Sequence, residues 1–246
     1  WALHVHGDDA LGNTYAPVPE ISDITQPQHA AIEIISRVMA APGEITLISL
    51  GRLTNIALAL SIEPRLVESV AEIIVMGGAI HVPGNASKFA TANFHEDPES
   101  AAIVYGSGAA IVQIGLDVCN DVEIPQDQFS AIQNRSTAST QLLTSATPVL
   151  QSYYRNHNLL KNSHAVRFND MPAVAYAIDK TFFTSSQYAV TIETHDEESK
   201  GQTRLATSSN TSKNRCVEVC LTVDVDRLTR FFSTRVSQYT VRNKQG

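Results

Sequence analysis

The sequence predicts an α/β fold, with a mostly parallel, open sheet and helices on both faces. Three observations carry this. The runs ITLISL (45–50), EIIVMGG (72–78) and AIVQIGL (110–116) are apolar throughout rather than alternating, as expected of parallel strands covered on both sides. Helical segments stand between them, and a helix–strand alternation implies right-handed crossovers. The 246 residues are 43% hydrophobic and 17% charged, enough apolar material for a sizeable core. Single domains of this class reach this length, and residues 1–246 are read as one.

Residues 1–26 are rich in Gly, Pro and Asp and read as loop. From Pro27, PQHAAIEIISRVMAAPG has Ala31, Ile34, Ile35, Val38 and Met39 at helical spacing, and Gly43 ends the helix. After the first strand, Thr54 to Ile62 is a helix with Pro64 just beyond its end. The second strand runs into Gly77–Gly78, and residues 79–96 form a long loop. DPESAAIVY (97–105) opens a helix with Asp97 as cap, Pro98 in the first turn and Glu99 matching the dipole. Residues 138–160 read as one long helix or two, and DMPAVAYAID (170–179) as another. QYAVTIET (187–194) and GQTRLAT (201–207) pair as a hairpin across a charged turn. CVEVCLTVDV (216–225) is the last strand, followed by a closing helix over 226–242. The segment 194–215, rich in Ser, Thr and charge, is the one stretch with little expected structure.

Composition removes several function classes. Eighteen Lys+Arg against 25 Asp+Glu give a net charge of −7, so the whole surface does not attract a phosphate backbone or an anionic membrane. No apolar stretch approaches the roughly 18 residues of a membrane span. The three cysteines, Cys119, Cys216 and Cys220, build no disulfide framework and suit a reducing, cytoplasmic setting. Cys216 and Cys220 share one face of the last strand and are read as buried core. Asn-x-Ser/Thr triplets at Asn85, Asn134 and Asn210 are weak evidence for secretion.

In open α/β sheets the ligand lies outside the carboxyl ends of the strands. That directs attention to Leu50–Gly51–Arg52, to Met76–Gly77–Gly78, to the loop reaching Asn93, and to Asp117. The amides of Asn85 and Asn93 both donate and accept, which suits sugar hydroxyls, although from pattern alone a Gly-Asn turn and an Asx-turn explain them better. Gly77–Gly78 permits close backbone approach, but no dinucleotide-binding glycine fingerprint is present. Asp170 is a helix cap or a carboxylate ligand for a hard cation such as calcium. His4, His6, His157 and His164 are candidate acids or bases, and HVHG sets two imidazoles on one side of an extended segment without a third ligand.

Taken together and in order, LTNIALAL-SIEPR, VMGGAIHVPGNA, NFHEDPESAAIV, NDMPAVAYAID and the VEVCLTVDVD strand resemble the inosine–uridine-preferring nucleoside hydrolase family over nearly the whole chain. HGDDALGN near the start resembles the family's His-Gly-x-x-Gly-Leu-Gly segment. The resemblance implies hydrolysis of the N-glycosidic bond of ribonucleosides. It also implies a bound Ca²⁺ that holds the ribose hydroxyls and a water, and a homo-oligomer, dimer or tetramer. Position by position, Asn85 and Asn93 match ribose-binding asparagines, Met76 a residue lining the ribose pocket, and Tyr153 a tyrosine near the base. Asp170 matches a calcium-ligating aspartate, and Leu50 a position that offers calcium its main-chain carbonyl.

The departures are equally specific. The family's opening DxDxGxDD motif, source of the catalytic base and of further calcium ligands, has no counterpart, so the first strand or strands are expected to be missing from this sequence, which opens on Trp1. Thr91 stands where the family has a ribose-binding Glu. Asn169 replaces the His that protonates the leaving base, and an amide is no acid. His157 stands where a second tyrosine is common, as a hypothetical replacement proton donor, and Lys161 where Arg is common. The chain alone is therefore expected to be inactive. The other reading is a non-catalytic relative that binds a ribosyl ligand or a protein partner.

Overall fold

The computed structural model describes residues 3–15, 28–135, 137–205 and 216–238. Chain contacts group these residues into two compact units. One holds Gln26–Asp121 and Asn169–Val223, and the other Trp1–Thr25, Val122–Phe168 and Asp224–Gly246.

The first unit carries the sheet. Its strands are β1 (Thr46–Ser49), β2 (Glu72–Met76), β3 (Ile111–Ile114), β4 (Phe183–Ile192), β5 (Thr203–Leu205) and β6 (Cys216–Val223), in the order β1-β2-β3-β6-β4-β5. The first four in that order are parallel, with Ile48 beside Ile74, Ile74 beside Val112 and Val112 beside Glu218. β4 runs antiparallel to both β6 and β5, so the expected hairpin is present over the described part, while 206–207 lie outside it. The mostly parallel α/β sheet read from the apolar runs is the observed one.

The helices of this unit follow from the same runs. In chain order the molecule has α1 (Leu3–His6), α2 (Ala30–Ala40), α3 (Thr54–Ile62), α4 (Leu66–Ser69), α5 (Ala92–His95), α6 (Pro98–Gly106), α7 (Leu116–Cys119), α8 (Gln126–Gln133), α9 (Ala138–Asn156), α10 (Met171–Ile178) and α11 (Val225–Gln238). On one sheet face, Leu47, Ile73, Val75, Ile111 and Val219 join α2, α3 and α6 in a single apolar core with Phe94 and Tyr105. The alternate residues Ile74, Met76, Val112 and Ile114 point to the other face, where α7 and α10 pack. α10 lies over β1 and β2 alike. The two faces together bury β2 and β3 almost completely, whereas β1, at the edge, keeps exposed residues.

The second unit is helical, with α1, α8, α9 and α11 packed together and the ring of Phe168 set between those of Phe129 and Phe232. A buried ion pair joins Arg167 to Glu123 at 2.8 Å, and the Arg167 guanidinium lies over the Tyr154 ring. Residues 138–156 form one helix that contains Pro148.

Several expectations are corrected. The residues His4–His6 of HVHG lie in a helical turn rather than an extended segment. Cys216 is exposed while Cys220 is buried, because Cys216 is the first residue of β6 and lies at the sheet's margin. Burial, with Glu218 nearby, pushes the Cys220 thiol up to about 12, so it is an inert core group. The loop 79–96 contains α5, and α8 was not anticipated at all. Pro27, Asn210 and 239–242 of the closing helix lie outside the described residues.

Candidate functional site

The carboxyl ends of β1 and β2 are tied together by one side chain. Asn93, in the single turn of α5, donates from Nδ2 to the Leu50 carbonyl at 3.2 Å and to the Met76 carbonyl at 2.9 Å, with Met76 Sδ at 3.3 Å. Carbonyls only accept, so the orientation of this amide is settled and its Oδ1 is left as an acceptor. Asn85 has the opposite orientation. Its Oδ1 accepts from the Ala92 amide at 2.9 Å, leaving Nδ2 to donate. The bond to Ala92, next in sequence to Asn93, brings the two asparagines to the same corner of the sheet. One presents a free donor and the other a free acceptor.

The residues beneath them are engaged elsewhere. Met76 and Thr91 are buried, and Thr91 Oγ1 accepts from the Gly78 amide at 3.0 Å. The two glycines serve packing. A Cβ on Gly77 would lie 2.5 Å from the Phe94 ring, and one on Gly78, whose φ is +84°, would lie 2.7 Å from the Gln113 side chain. Gln113 is itself fixed by Tyr105, whose hydroxyl donates to Gln113 Oε1 at 2.9 Å. Asp117 accepts from the amides of Ile80 at 2.9 Å and His81 at 2.7 Å, which pins the start of the loop.

A latch in front of α5 was not anticipated. Arg52 pairs with Glu96, and Thr54 donates to Asp97, which also caps α6 by accepting from the Ser100 amide at 3.2 Å. Burial disfavours the Asp97 charge, but the bonds from Thr54 and Ser100 and the nearby Arg52 outweigh it and hold the carboxyl below its usual range. Asp97 is legible as a cap from DPE, whereas its second role depends on Thr54, 43 residues away.

Asp170 stands at the N-cap of α10, yet its side chain caps nothing and its backbone is helical. Its carboxyl keeps solvent contact, but the surrounding protein desolvates it enough to push it up to about 6. A capping role therefore does not account for Asp170. Next to it, the Asn169 carbonyl accepts from Cys119 Sγ at 3.2 Å.

Calcium takes six to eight oxygens. Among the described residues no group of three or more His, Cys, Asp or Glu is placed to share an ion. The Asp170 carboxylate and the Leu50 carbonyl, which already accepts from Asn93, are the matched oxygen donors, and two do not hold such a cation.

In the helical unit, His157 ends α9 with its ring 4.3 Å from that of Tyr153. His157 Nδ1 lies 2.8 Å from the Tyr153 carbonyl, so Nδ1 donates and Nε2 is the nitrogen left to act. The Lys161 amide donates to Glu123 at 2.8 Å.

Comparisons with known proteins agree with one another. The family model described as inosine-uridine preferring nucleoside hydrolase matches residues 2–230. The inosine-uridine preferring nucleoside hydrolase of Leishmania major is 34% identical over 231 residues, covering 92% of this chain and 70% of that protein. Among solved structures, a plant nucleoside hydrolase (the PpNRh1 enzyme) superposes with a TM-score of 0.88 at 30% identity, over 97% of this chain and 76% of that one. A purine-preferring ribonucleoside hydrolase from Gardnerella vaginalis superposes at 0.86 with 26% identity, over 96% and 73%. With fold, family model and relatives in accord, the chain belongs to the inosine-uridine preferring nucleoside hydrolase family.

Proposed function

We propose that the chain binds a ribonucleoside at the carboxyl ends of β1 and β2 and serves hydrolysis of its N-glycosidic bond, which yields free base and ribose. The observation that carries this reading is the pair of amides with opposite free ends. A hydroxyl of a vicinal diol both donates and accepts, so Asn85 Nδ2 and Asn93 Oδ1 each satisfy one of its two needs. Buried Met76 sets its sulfur 3.3 Å from Asn93 Nδ2.

In the reaction, the bond from C1′ to the base nitrogen breaks and water adds at C1′. Positive charge develops on the sugar, and an ionised carboxylate beside it lowers the barrier. Asp170 is the carboxylate at the adjoining helix start, and it is ionised above about pH 6. The leaving base gains from a proton. Asn169, an amide, supplies none. A reducing, cytoplasmic setting belongs to the same reading, supported by a cysteine count too low and odd for a disulfide framework. Among the described residues no helix is long and apolar enough to cross a membrane.

The test is calorimetric titration of the chain with inosine and uridine and with their 2′-deoxy analogues. Loss of one hydroxyl that meets a buried or ordered partner costs about 1.4 kcal/mol, so the deoxy forms should bind about tenfold more weakly. Equal binding of both series overturns the reading. Protein-dependent release of reducing sugar from inosine or uridine is the accompanying readout of hydrolysis.

A further inference from the structure

The loop that leaves β2 and carries Asn85 is fastened at its root to α7, the single turn that follows β3. Leu116 donates its amide to the Gly78 carbonyl at 2.9 Å. Asp117, beside it, holds two more groups of the same loop: its Oδ2 accepts from the Ile80 amide at 2.9 Å and its Oδ1 from the His81 amide at 2.7 Å. Asp117 is buried, and each of its oxygens grips one backbone amide. Hydrogen bonds to a carboxylate are among the stronger ones, and burial shields these from competing water.

The loop is built to carry that hold forward. Between His81 and Asn85 stand Val82, Pro83 and Gly84. Pro83 has a fixed φ and keeps Val82 extended, so this link has little freedom. Gly84 is confined as well: a Cβ there would lie 2.2 Å from the Ala90 carbonyl oxygen, and its amide donates to the Lys88 carbonyl at 3.1 Å. From Gly84 to Ala90 the loop closes on itself. The Ala86 amide donates to the Ala90 carbonyl at 3.1 Å, and Ser87 Oγ accepts from the Phe89 and Ala90 amides. A loop closed in this way moves as one piece. Asn85 is exposed, so its own bond to the Ala92 amide competes with water, and the buried clamp at Asp117 is the firmer anchor.

Building on the ribonucleoside reading above, we propose that Asp117 is a positioning residue of the site: by clamping the Ile80 and His81 amides it sets where the side-chain amide of Asn85 stands, and through Asn85 it tunes the affinity for the ribosyl hydroxyls. Asp117→Asn keeps the shape of the side chain, but the nitrogen that replaces one oxygen turns a donor toward a donor. One of the two clamping bonds is lost, and the closed loop gains freedom at its root. A purely structural role would make the cost of this substitution independent of Asn85. A positioning role makes it depend on Asn85 being present to be placed.

The experiment is a double-mutant cycle of Asp117→Asn and Asn85→Ala in the 246-residue chain, read by calorimetric titration with inosine and by amide hydrogen exchange followed by NMR. In the wild-type background Asp117→Asn should weaken inosine binding about tenfold, and in the Asn85→Ala background by less than about twofold. The same substitution should speed exchange of the Ile80, His81 and Ala92 amides about tenfold. The Ile73 amide, bonded to the Ala110 carbonyl at 2.8 Å within the sheet, is the control and should keep its protection. Equal loss of inosine affinity in both backgrounds overturns the proposal, as does an Ala92 amide whose exchange is unchanged by Asp117→Asn. Loss of protection at Ile73 equal to that at Ala92 makes the effect one of global stability and overturns it too. If the wild-type chain binds no inosine, the ribonucleoside reading falls, and the Ala92 exchange alone decides whether Asp117 places Asn85.

Discussion

The Asn93 side-chain nitrogen holds the Leu50 carbonyl at 3.2 Å, and the same nitrogen holds the Met76 carbonyl. One amide therefore braces the ends of two neighbouring strands. Replacement by Ala removes both bonds and should cost about 1–2 kcal/mol in urea denaturation. Replacement by Asp should cost more, because a carboxylate cannot donate and would face two carbonyl oxygens. If Asn93→Asp is as stable as Asn93→Ala, the amide is not the brace described.

Gly77 and Gly78 are required by packing at different strengths. A Cβ on Gly77 meets Phe94, which is fully buried and held edge-to-face against Tyr105 with ring centroids 5.5 Å apart. Gly77→Ala should cost about 1–3 kcal/mol by overpacking. Gly78→Ala adds a left-handed backbone to its clash with Gln113 and should cost more than Gly77→Ala. Gly43 also has a positive φ but open space around it, so Gly43→Ala isolates the backbone component, about 1 kcal/mol. Thermal unfolding of the three variants should rank Gly78, Gly77, Gly43 in falling cost.

The two glycines show how far the site was legible from sequence. Their position after a strand was plain, but the reason for them is Phe94 and Gln113, which local pattern does not connect to them. The buried strands β2 and β3 were legible because an unbroken apolar run is hard to place otherwise. α8 was not, because QDQFSAIQ buries only Phe129 and Ile132 and has almost no apolar stripe. Asn85 and Asn93 were legible as candidate residues. Which of their atoms stay free is decided by Ala92 on one side and by two strand-end carbonyls on the other. The latch from Arg52 and Thr54 to Glu96 and Asp97 was invisible because it joins residues more than 40 positions apart.

Asp97 gives that latch a pH dependence. Its carboxyl is held below the usual range in the fold, so its ionised form favours the folded state. The stabilisation is present above the unfolded value of 3.8 and is lost as pH falls through the lower folded value. Asp97→Ala should cost about 1 kcal/mol at pH 7, a typical loss for an N-cap. Asp97→Asn keeps a capping side chain and should cost less. Urea denaturation at pH 7 and at pH 3 should show the gap between wild type and Asp97→Ala narrowing at the lower pH. A gap that widens on acidification contradicts the assignment.

Glu123 organises the helical unit from within. One carboxylate takes Arg167 at 2.8 Å, the Lys161 amide at 2.8 Å and the Asn162 amide at 3.1 Å. Both charged partners are nearly enclosed, with side chains 5% and 10% exposed for Arg167 and Glu123. Removing the charge from one partner leaves the other buried without its counter-ion, which costs about 3–5 kcal/mol. Glu123→Gln keeps the shape and tests the charge alone. Glu123→Gln with Arg167→Met removes both charges and should regain more than half of the loss, since a buried pair contributes less than the penalty for breaking it. Chemical unfolding followed by circular dichroism reads both variants. A loss below about 1 kcal/mol for Glu123→Gln would place the pair among exposed ion pairs, against the burial observed.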